Sequence, residues 1–241
     1  KEIPLVFYNI NQYINFTNND LILLENIYAK LLENIYYLLK KNRFYLAQLE
    51  NILELHHQNL TCWIKKTNPF TYELYKNQSN FINKEICSEY NSETQINVLQ
   101  LPINNLTEPI LDIGCGESGN LVNMLRKYGY EAYGFNRTIV KSVNYIFQDN
   151  WMNFNFIPNK WGTIISHLSF ANHFKYNHLI GNHSIDYAKK YMEILSSLKQ
   201  SGVFYYAPSL PFIEDLLPRK DFIINRNIIG NYTYNSSTNH Y

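Results

Sequence analysis

Ile110-Leu111-Asp112-Ile113-Gly114-Cys115-Gly116-Glu117-Ser118-Gly119-Asn120-Leu121 is the stretch on which the fold turns. Its apolar opening, Ile110 to Ile113, predicts a buried parallel strand, and the small residues after it predict a sharp turn. Leu121, Met124, Leu125 and Tyr128 then recur at helical spacing. Glycines at 114 and 116 permit backbone conformations closed to other residues, and the next helix opens with N–H groups that lack helical partners. Strand, glycine turn and helix together make a ligand-binding junction. The glycines at 114, 116 and 119 match the dinucleotide spacing G-x-G-x-x-G, so that reading stays open. Asp112 opposes it, because a carboxylate at the strand end repels a pyrophosphate but holds a cationic amino group.

Composition narrows the function classes. With 241 residues the chain can bury a full core, as one large domain or one domain with an appendage. Lys and Arg number 21 against 20 Asp and Glu, so attraction to nucleic acid or an anionic membrane is not written into the charge. Cys62, Cys87 and Cys115 are scattered, which fits reduced thiols better than a disulfide framework or a zinc site. The sequence holds no apolar run of about 18 residues and no charged-then-apolar leader, which predicts a cytoplasmic protein without a membrane span.

Upstream of the turn, Thr17-Asn18-Asn19-Asp20 offers N-cap residues for a long helix through residue 40, with Leu24, Ile27, Tyr28, Leu31, Ile35 and Leu38 on one stripe. A second helix is expected over 43–60. Residues 63–84, with Pro69 and several amides, read as a connection. Residues 1–85 are therefore a helical N-terminal extension that can serve as a structural cap, a lid over a substrate pocket or a homodimer interface. Residues 86–241 form the main domain, entered by a short helix near Ser92.

Downstream, Gly129 ends the helix, and strands are expected at Tyr130–Arg137, Tyr145–Gln148, Trp161–Ser166 and Val203–Pro208. Helices are expected at Ile139–Val143, over 184–199 and at Leu210–Leu217, with further strands at Phe222–Ile229 and Tyr232–Tyr234. This alternation predicts an α/β doubly wound, mostly parallel sheet. In such sheets the pocket lies beyond the carboxyl ends of the strands. There, after the fourth strand, stand His167, His173, His178 and His183. Their intervals of six, five and five match no common ligand set, so no metal is expected. A histidine near neutral pKa can take a proton from a hydroxyl or ammonium, which makes His167, His173 and, behind them, His178 candidate catalytic bases.

The run Leu111 to Gly119 resembles the first motif, acidic-x-Gly-x-Gly, of class I S-adenosylmethionine (SAM)-dependent methyltransferases. Leu198-Lys199-Gln200-Ser201-Gly202-Val203-Phe204 likewise resembles that family's Leu-Lys-Pro-Gly-Gly step into the fifth strand. The resemblance spans residues 86–230 and implies a Rossmann-like, seven-stranded sheet with SAM as cofactor. It implies that Asp112, Gly114, Cys115 and Gly116 face the methionine part, and that Tyr90 borders the cofactor as in bacterial small-molecule and natural-product methyltransferases. His167 is also among the implied cofactor contacts. The family's second strand usually ends in an acid that binds both ribose hydroxyls. Here Asn136, followed by Arg137, stands in its place, and an amide binds hydroxyls less strongly than a carboxylate. Asp149 is implied for the adenine amino group, the Asn150 main chain for a ring nitrogen and Trp151 for the adenine face. The implied activity is methyl transfer to an oxygen or nitrogen of a small organic acceptor. The Asn/Asp-Pro-Pro-aromatic signature is missing after the fourth strand, which argues against amino-methylation of DNA bases. RNA or protein methylation, SAM binding without catalysis and dinucleotide-dependent oxidoreduction are the alternatives.

Overall fold

The computed structural model describes residues 3–10, 14–40, 45–68, 90–139, 141–180, 183–229 and 232–239. Most of the expected connection over 63–84, from residue 69 on, lies outside the described residues. The chain divides into two compact units, Lys1–Ile86 and Cys87–Tyr241.

The first unit contains α1 (Ile3–Ile10), α2 (Asn18–Leu39) and α3 (Leu46–Thr67). Thr17 caps α2: its hydroxyl accepts the Asp20 N–H at 3.2 Å, and the Asp20 carboxylate accepts the Thr17 N–H at 2.8 Å. Ile14, Phe16, Leu24 and Trp63 form a small buried core. The Phe16 and Trp63 rings lie 4.5 Å apart, and the Trp63 indole N–H donates to the Asp20 carbonyl at 3.0 Å. Because Trp63 belongs to this core, α3 runs past its expected end to Thr67. The sequence over 1–18 mixes apolar and amide residues without a clear period, so it does not announce α1.

The second unit is organised on a sheet with strand order β3-β2-β1-β4-β5-β7-β6. β1 (Ile110–Ile113), β2 (Ala132–Asn136), β3 (Ile146–Gln148), β4 (Trp161–His167) and β5 (Leu198–Ala207) run parallel. β6 (Phe222–Ile229) and β7 (Tyr232–Asn239) pair antiparallel with each other, and β7 pairs antiparallel with β5. The fold is thus α/β with a five-stranded parallel sheet. β1 is central and fully buried. Strand alternation sends Leu111 and Ile113 to the face that packs with α6 (Phe170–Ile180) and α7 (Ser184–Ser196). It sends Ile110 and Asp112 to the opposite face, under α4 (Ser92–Leu99) and α5 (Asn120–Lys127).

One expected helix does not form. Among the described residues of 139–143 there is no helix: the chain turns, and Val143 bridges to Ile146. Thr138, Ile139 and Val143 are β-branched and lose rotamer freedom in a helix, which leaves the turn preferred. The histidine-rich segment after β4 is itself helical, as α6.

Beyond β5, α8 (Pro211–Glu214) carries a buried carboxylate, Glu214. It accepts hydrogen bonds from the Tyr206 hydroxyl at 2.7 Å, the Leu210 N–H at 2.5 Å and the Arg226 Nε of β6 at 2.8 Å. This network ties the hairpin to the carboxyl end of β5. Removing the carboxylate takes the acceptor from the Leu210 N–H and from the Arg226 Nε, while the Tyr206 hydroxyl keeps the Tyr191 hydroxyl at 2.9 Å and Arg226 keeps Asp215. Glu214→Ala is therefore expected to cost about 2–3 kcal/mol, read as a lower urea midpoint at unchanged slope, with Glu214→Gln less affected.

Candidate functional site

The site begins where β1 leaves the sheet. Gly114 and Gly116 take φ values of 76° and 77°, a left-handed region that glycine enters without a Cβ penalty. The N–H groups of Gly114 and Cys115 both donate to the Phe135 carbonyl of β2, at 2.9 and 3.1 Å. From the other flank the Ser169 hydroxyl donates to the Ile113 carbonyl at 2.6 Å. A Cβ on Gly114 would lie 2.7 Å from the Ser169 Cβ, so space as well as φ demands glycine here.

Asp112 is 1% exposed, and neither carboxylate oxygen has a hydrogen-bond partner. Burial alone raises its pKa to about 7. A buried carboxylate without a partner is costly when ionised and suits a cation brought by a ligand. Trp151, on the loop after β3, packs beside Gly114 and is buried with its indole N–H also unpartnered. His167 ends β4; its Nε2 is buried and unpartnered, and burial lowers its pKa to about 4. Tyr90 meets the His167 ring edge-on at 4.8 Å. Its carbonyl accepts Gln95 Nε2 at 2.9 Å and Asn120 Nδ2 at 3.3 Å, which fixes Tyr90 beside the first turn of α5. Tyr90, Asp112, Gly114, Trp151 and His167 thus gather at the carboxyl ends of the parallel strands, where α/β sheets bind ligands.

The other expected residues take different places. His173 is buried behind Trp151, ring to ring at 4.9 Å, and is held well below its usual pKa by burial first and the Arg137 charge second. His178 is exposed near the end of α6 and stacks on Phe212 of α8 at 3.8 Å. The three candidate bases are therefore dispersed, because α6 carries His173 and His178 away from β4. Among the described residues no group of three His, Cys, Asp or Glu converges as a metal site would. Asn136 closes a turn of its own: its Oδ1 accepts the Arg137 N–H at 3.0 Å and its Nδ2 donates to Thr138 Oγ1 at 2.9 Å. Asp149 accepts the Asn150 N–H at 2.7 Å, and partial burial raises its pKa. The Asn150 amide oxygen accepts the Met152 N–H at 3.0 Å. The Asn136 amide and the Asn150 amide oxygen are thus engaged in local turns. Cys115 is buried, and its Sγ lies 3.0 Å from where a Gly134 Cβ would be, which is a packing role.

Sequence reading passed over Ser166 and Ser169, whose hydroxyls lie 2.7 Å apart. Their signal was present as two hydroxyls three positions apart that bracket His167 at the end of a buried strand. An open groove of about 700 Å³ runs along α5, lined by Asn91, Ser92, Asn120, Asn123, Met124, Arg126, Lys127 and Tyr145. It includes none of the unpartnered buried groups, so the chemistry points to the strand ends and not to this groove.

No protein-family model and no curated protein matches the chain. Similar solved structures do exist. The 1,6-didemethyltoxoflavin-N1-methyltransferase of Burkholderia thailandensis, solved with 1,6-didemethyltoxoflavin and S-adenosylhomocysteine, aligns at 10% identity over 72% of this chain and 86% of its own, with a TM-score of 0.46. A protein of Listeria monocytogenes assigned as a SAM-dependent methyltransferase aligns at 14% identity over 62% of this chain and 100% of its own, TM-score 0.45. The ribosomal protein L11 methylase of Lactobacillus delbrueckii aligns at 14% identity over 61% and 80%, TM-score 0.42. At such low identity no residue role or acceptor transfers from them.

Asp112 generates a pH signature. Its folded pKa of about 7 lies above the ordinary 3.8, so between those values the folded chain holds a proton that the unfolded chain releases. His167 and His173, held neutral by burial, add a slope of the opposite sign, whereas the Asp112 contribution to stability falls as pH rises from about 4 to about 7 and then levels off. Asp112→Asn removes the Asp112 slope, so urea midpoints at pH 5 and pH 8 should show the variant gaining on the wild type at the higher pH.

Proposed function

We propose that this chain is a class I SAM-dependent methyltransferase acting on an oxygen or nitrogen of a small organic acceptor. One observation carries the reading: Asp112, a buried carboxylate without a partner, stands one residue before the end of the central parallel strand, beside a left-handed glycine turn. Asp112 would accept the cofactor's ammonium, and the Gly114–Gly116 backbone would allow its close approach. A dinucleotide would instead bring a pyrophosphate against that carboxylate. The sheet supports the choice, since antiparallel β7 lies between β5 and β6, whereas the dinucleotide-binding sheet runs 3-2-1-4-5-6.

When bound, SAM supplies an electrophilic methyl group. The protein's part is to orient and to manage one proton. Trp151 and the Tyr90 edge shield the strand ends from water, and buried His173 backs Trp151. His167, next to Tyr90, takes the acceptor's proton at an imidazole nitrogen. With its pKa lowered to about 4, the imidazole stays in its proton-accepting neutral form throughout the neutral range. Such a weak base suits acceptors whose proton becomes acidic as the methyl arrives, such as an amine becoming an ammonium. Balanced charge supports a small acceptor over a nucleic acid.

Calorimetry with SAM, S-adenosylhomocysteine and NADH tests the cofactor. The first two are expected to bind and NADH not to; NADH binding in place of SAM overturns the reading. Asp112→Asn is expected to weaken S-adenosylhomocysteine about tenfold or more, about 1.4 kcal/mol. Below pH 7 the wild type should release a proton on binding, read as a buffer-dependent enthalpy. For an acceptor found by a 14-dalton product shift, His167→Ala is expected to lower kcat by about 10²-fold or more. At saturating SAM and acceptor, the wild-type kcat should hold level with falling pH to about 5, one unit above the His167 pKa of about 4.

A further inference from the structure

We propose that Ser169, backed by Ser166, is a positioning residue that holds the Gly114–Gly116 turn in its ligand-ready form. The inference rests on the reading that this turn receives the cofactor, and it assigns two residues to that task which the motif does not contain.

Proton accounting gives the arrangement a direction. Each serine hydroxyl has one proton to donate. Ser169 Oγ lies 2.6 Å from the Ile113 carbonyl, which can only accept, so Ser169 spends its proton there. Ser166 Oγ lies 2.7 Å from Ser169 Oγ and 3.3 Å from the same carbonyl, and it accepts the Phe170 N–H at 3.1 Å. The shorter path sends the Ser166 proton to Ser169. A one-way chain results, from Phe170 N–H to Ser166, from Ser166 to Ser169, and from Ser169 to the last carbonyl of β1. Ser166 and Phe170 are fully buried, so water does not compete for these bonds.

The backbone is bent to allow this. Leu168 stands in the left-handed region at φ 50°, a conformation that strains a non-glycine residue. Its N–H donates to the Ala207 carbonyl and its carbonyl accepts Asn172 Nδ2, both at 3.0 Å. That turn folds Ser169 back onto β1, into the space a side chain on Gly114 would occupy. His167 lies between the two serines in the chain. One clamp therefore sets the glycine turn, with Asp112 just before it, against the imidazole of β4.

Ser166→Ala, Ser169→Ala and the double variant test the clamp, with Glu214→Gln as a destabilised variant outside it. S-adenosylhomocysteine affinity is measured by calorimetry well below each melting temperature. Amide hydrogen exchange at Gly114 and Cys115 is followed in parallel. In Ser169→Ala the Ser166 hydroxyl can turn to the Ile113 carbonyl, so each single variant is expected to raise Kd only about threefold to fivefold. The double variant is expected to raise it about 30-fold or more, beyond the product of the singles, and to speed exchange at both amides. Glu214→Gln lowers the melting temperature and is expected to leave Kd within about twofold. A double variant within twofold of wild type, or affinities that simply follow melting temperature across all four variants, overturns the proposal. If the wild type itself fails to bind S-adenosylhomocysteine, the cofactor reading fails and exchange decides the clamp. Faster exchange in the double variant then sustains it, and unchanged exchange refutes it.

Discussion

The structure depends on how the backbone is pinned where β1 ends. A strand that turns sharply out of a sheet abandons ladder hydrogen bonds, and buried peptide groups left unpaired are costly. Here both flanking strands supply the missing partners. The Phe135 carbonyl of β2 takes the N–H groups of Gly114 and Cys115, and Ser169 after β4 satisfies the Ile113 carbonyl. With the polar backbone settled on both sides, the turn can stay tight and left-handed, and Asp112 just before it is kept from water.

Burial then sets the electrostatics of the site in one direction. It raises Asp112 toward its neutral acid, and it lowers His167 and His173 toward their neutral imidazoles. The strand ends therefore hold groups ready to exchange protons, with little fixed charge among them. An incoming ammonium gains most in such an environment, because a low-dielectric site strengthens its pairing with a carboxylate that has no competing donor. Glu214 shows the contrasting case in the same unit: a carboxylate equally buried but supplied with three donors, which serves the architecture of the β5–β6 edge.

How much could be read in advance varied with the range of the forces involved. β1, β6 and α4 are set by short apolar runs and by caps such as Asn91, whose Oδ1 accepts the Thr94 N–H at 2.8 Å. These are local signals, and they stand in the sequence as written. Over 139–143 the sequence suggests a short helix, but among the described residues there the chain turns toward β3, which pairs with β2. The histidines looked like one cluster because their spacing is short. Placed on α6, they separate: His167 stays at the strand end, His173 enters the core behind Trp151, and His178 leaves for a stack with Phe212. Asn136 stands where the resemblance implies a ribose ligand, and its amide is held by the Arg137 N–H and the Thr138 hydroxyl, local hydrogen bonds that a residue type alone does not reveal.

The amino-acid sequence by itself determined the alternation of strands and helices, the glycine turn and the identity of the carboxylate in front of it. Those follow from hydrophobic period, from backbone freedom at glycine and from charge, all of which act within a few residues. Only the tertiary structure decided that Asp112 has no partner, that the serine pair reaches across from β4 to β1, and which histidine remains at the site. Those outcomes depend on which strand lies beside which and on which face each side chain turns to. Contacts between residues more than fifty positions apart, such as Ser169 with Ile113, become definite only when the sheet has brought them together.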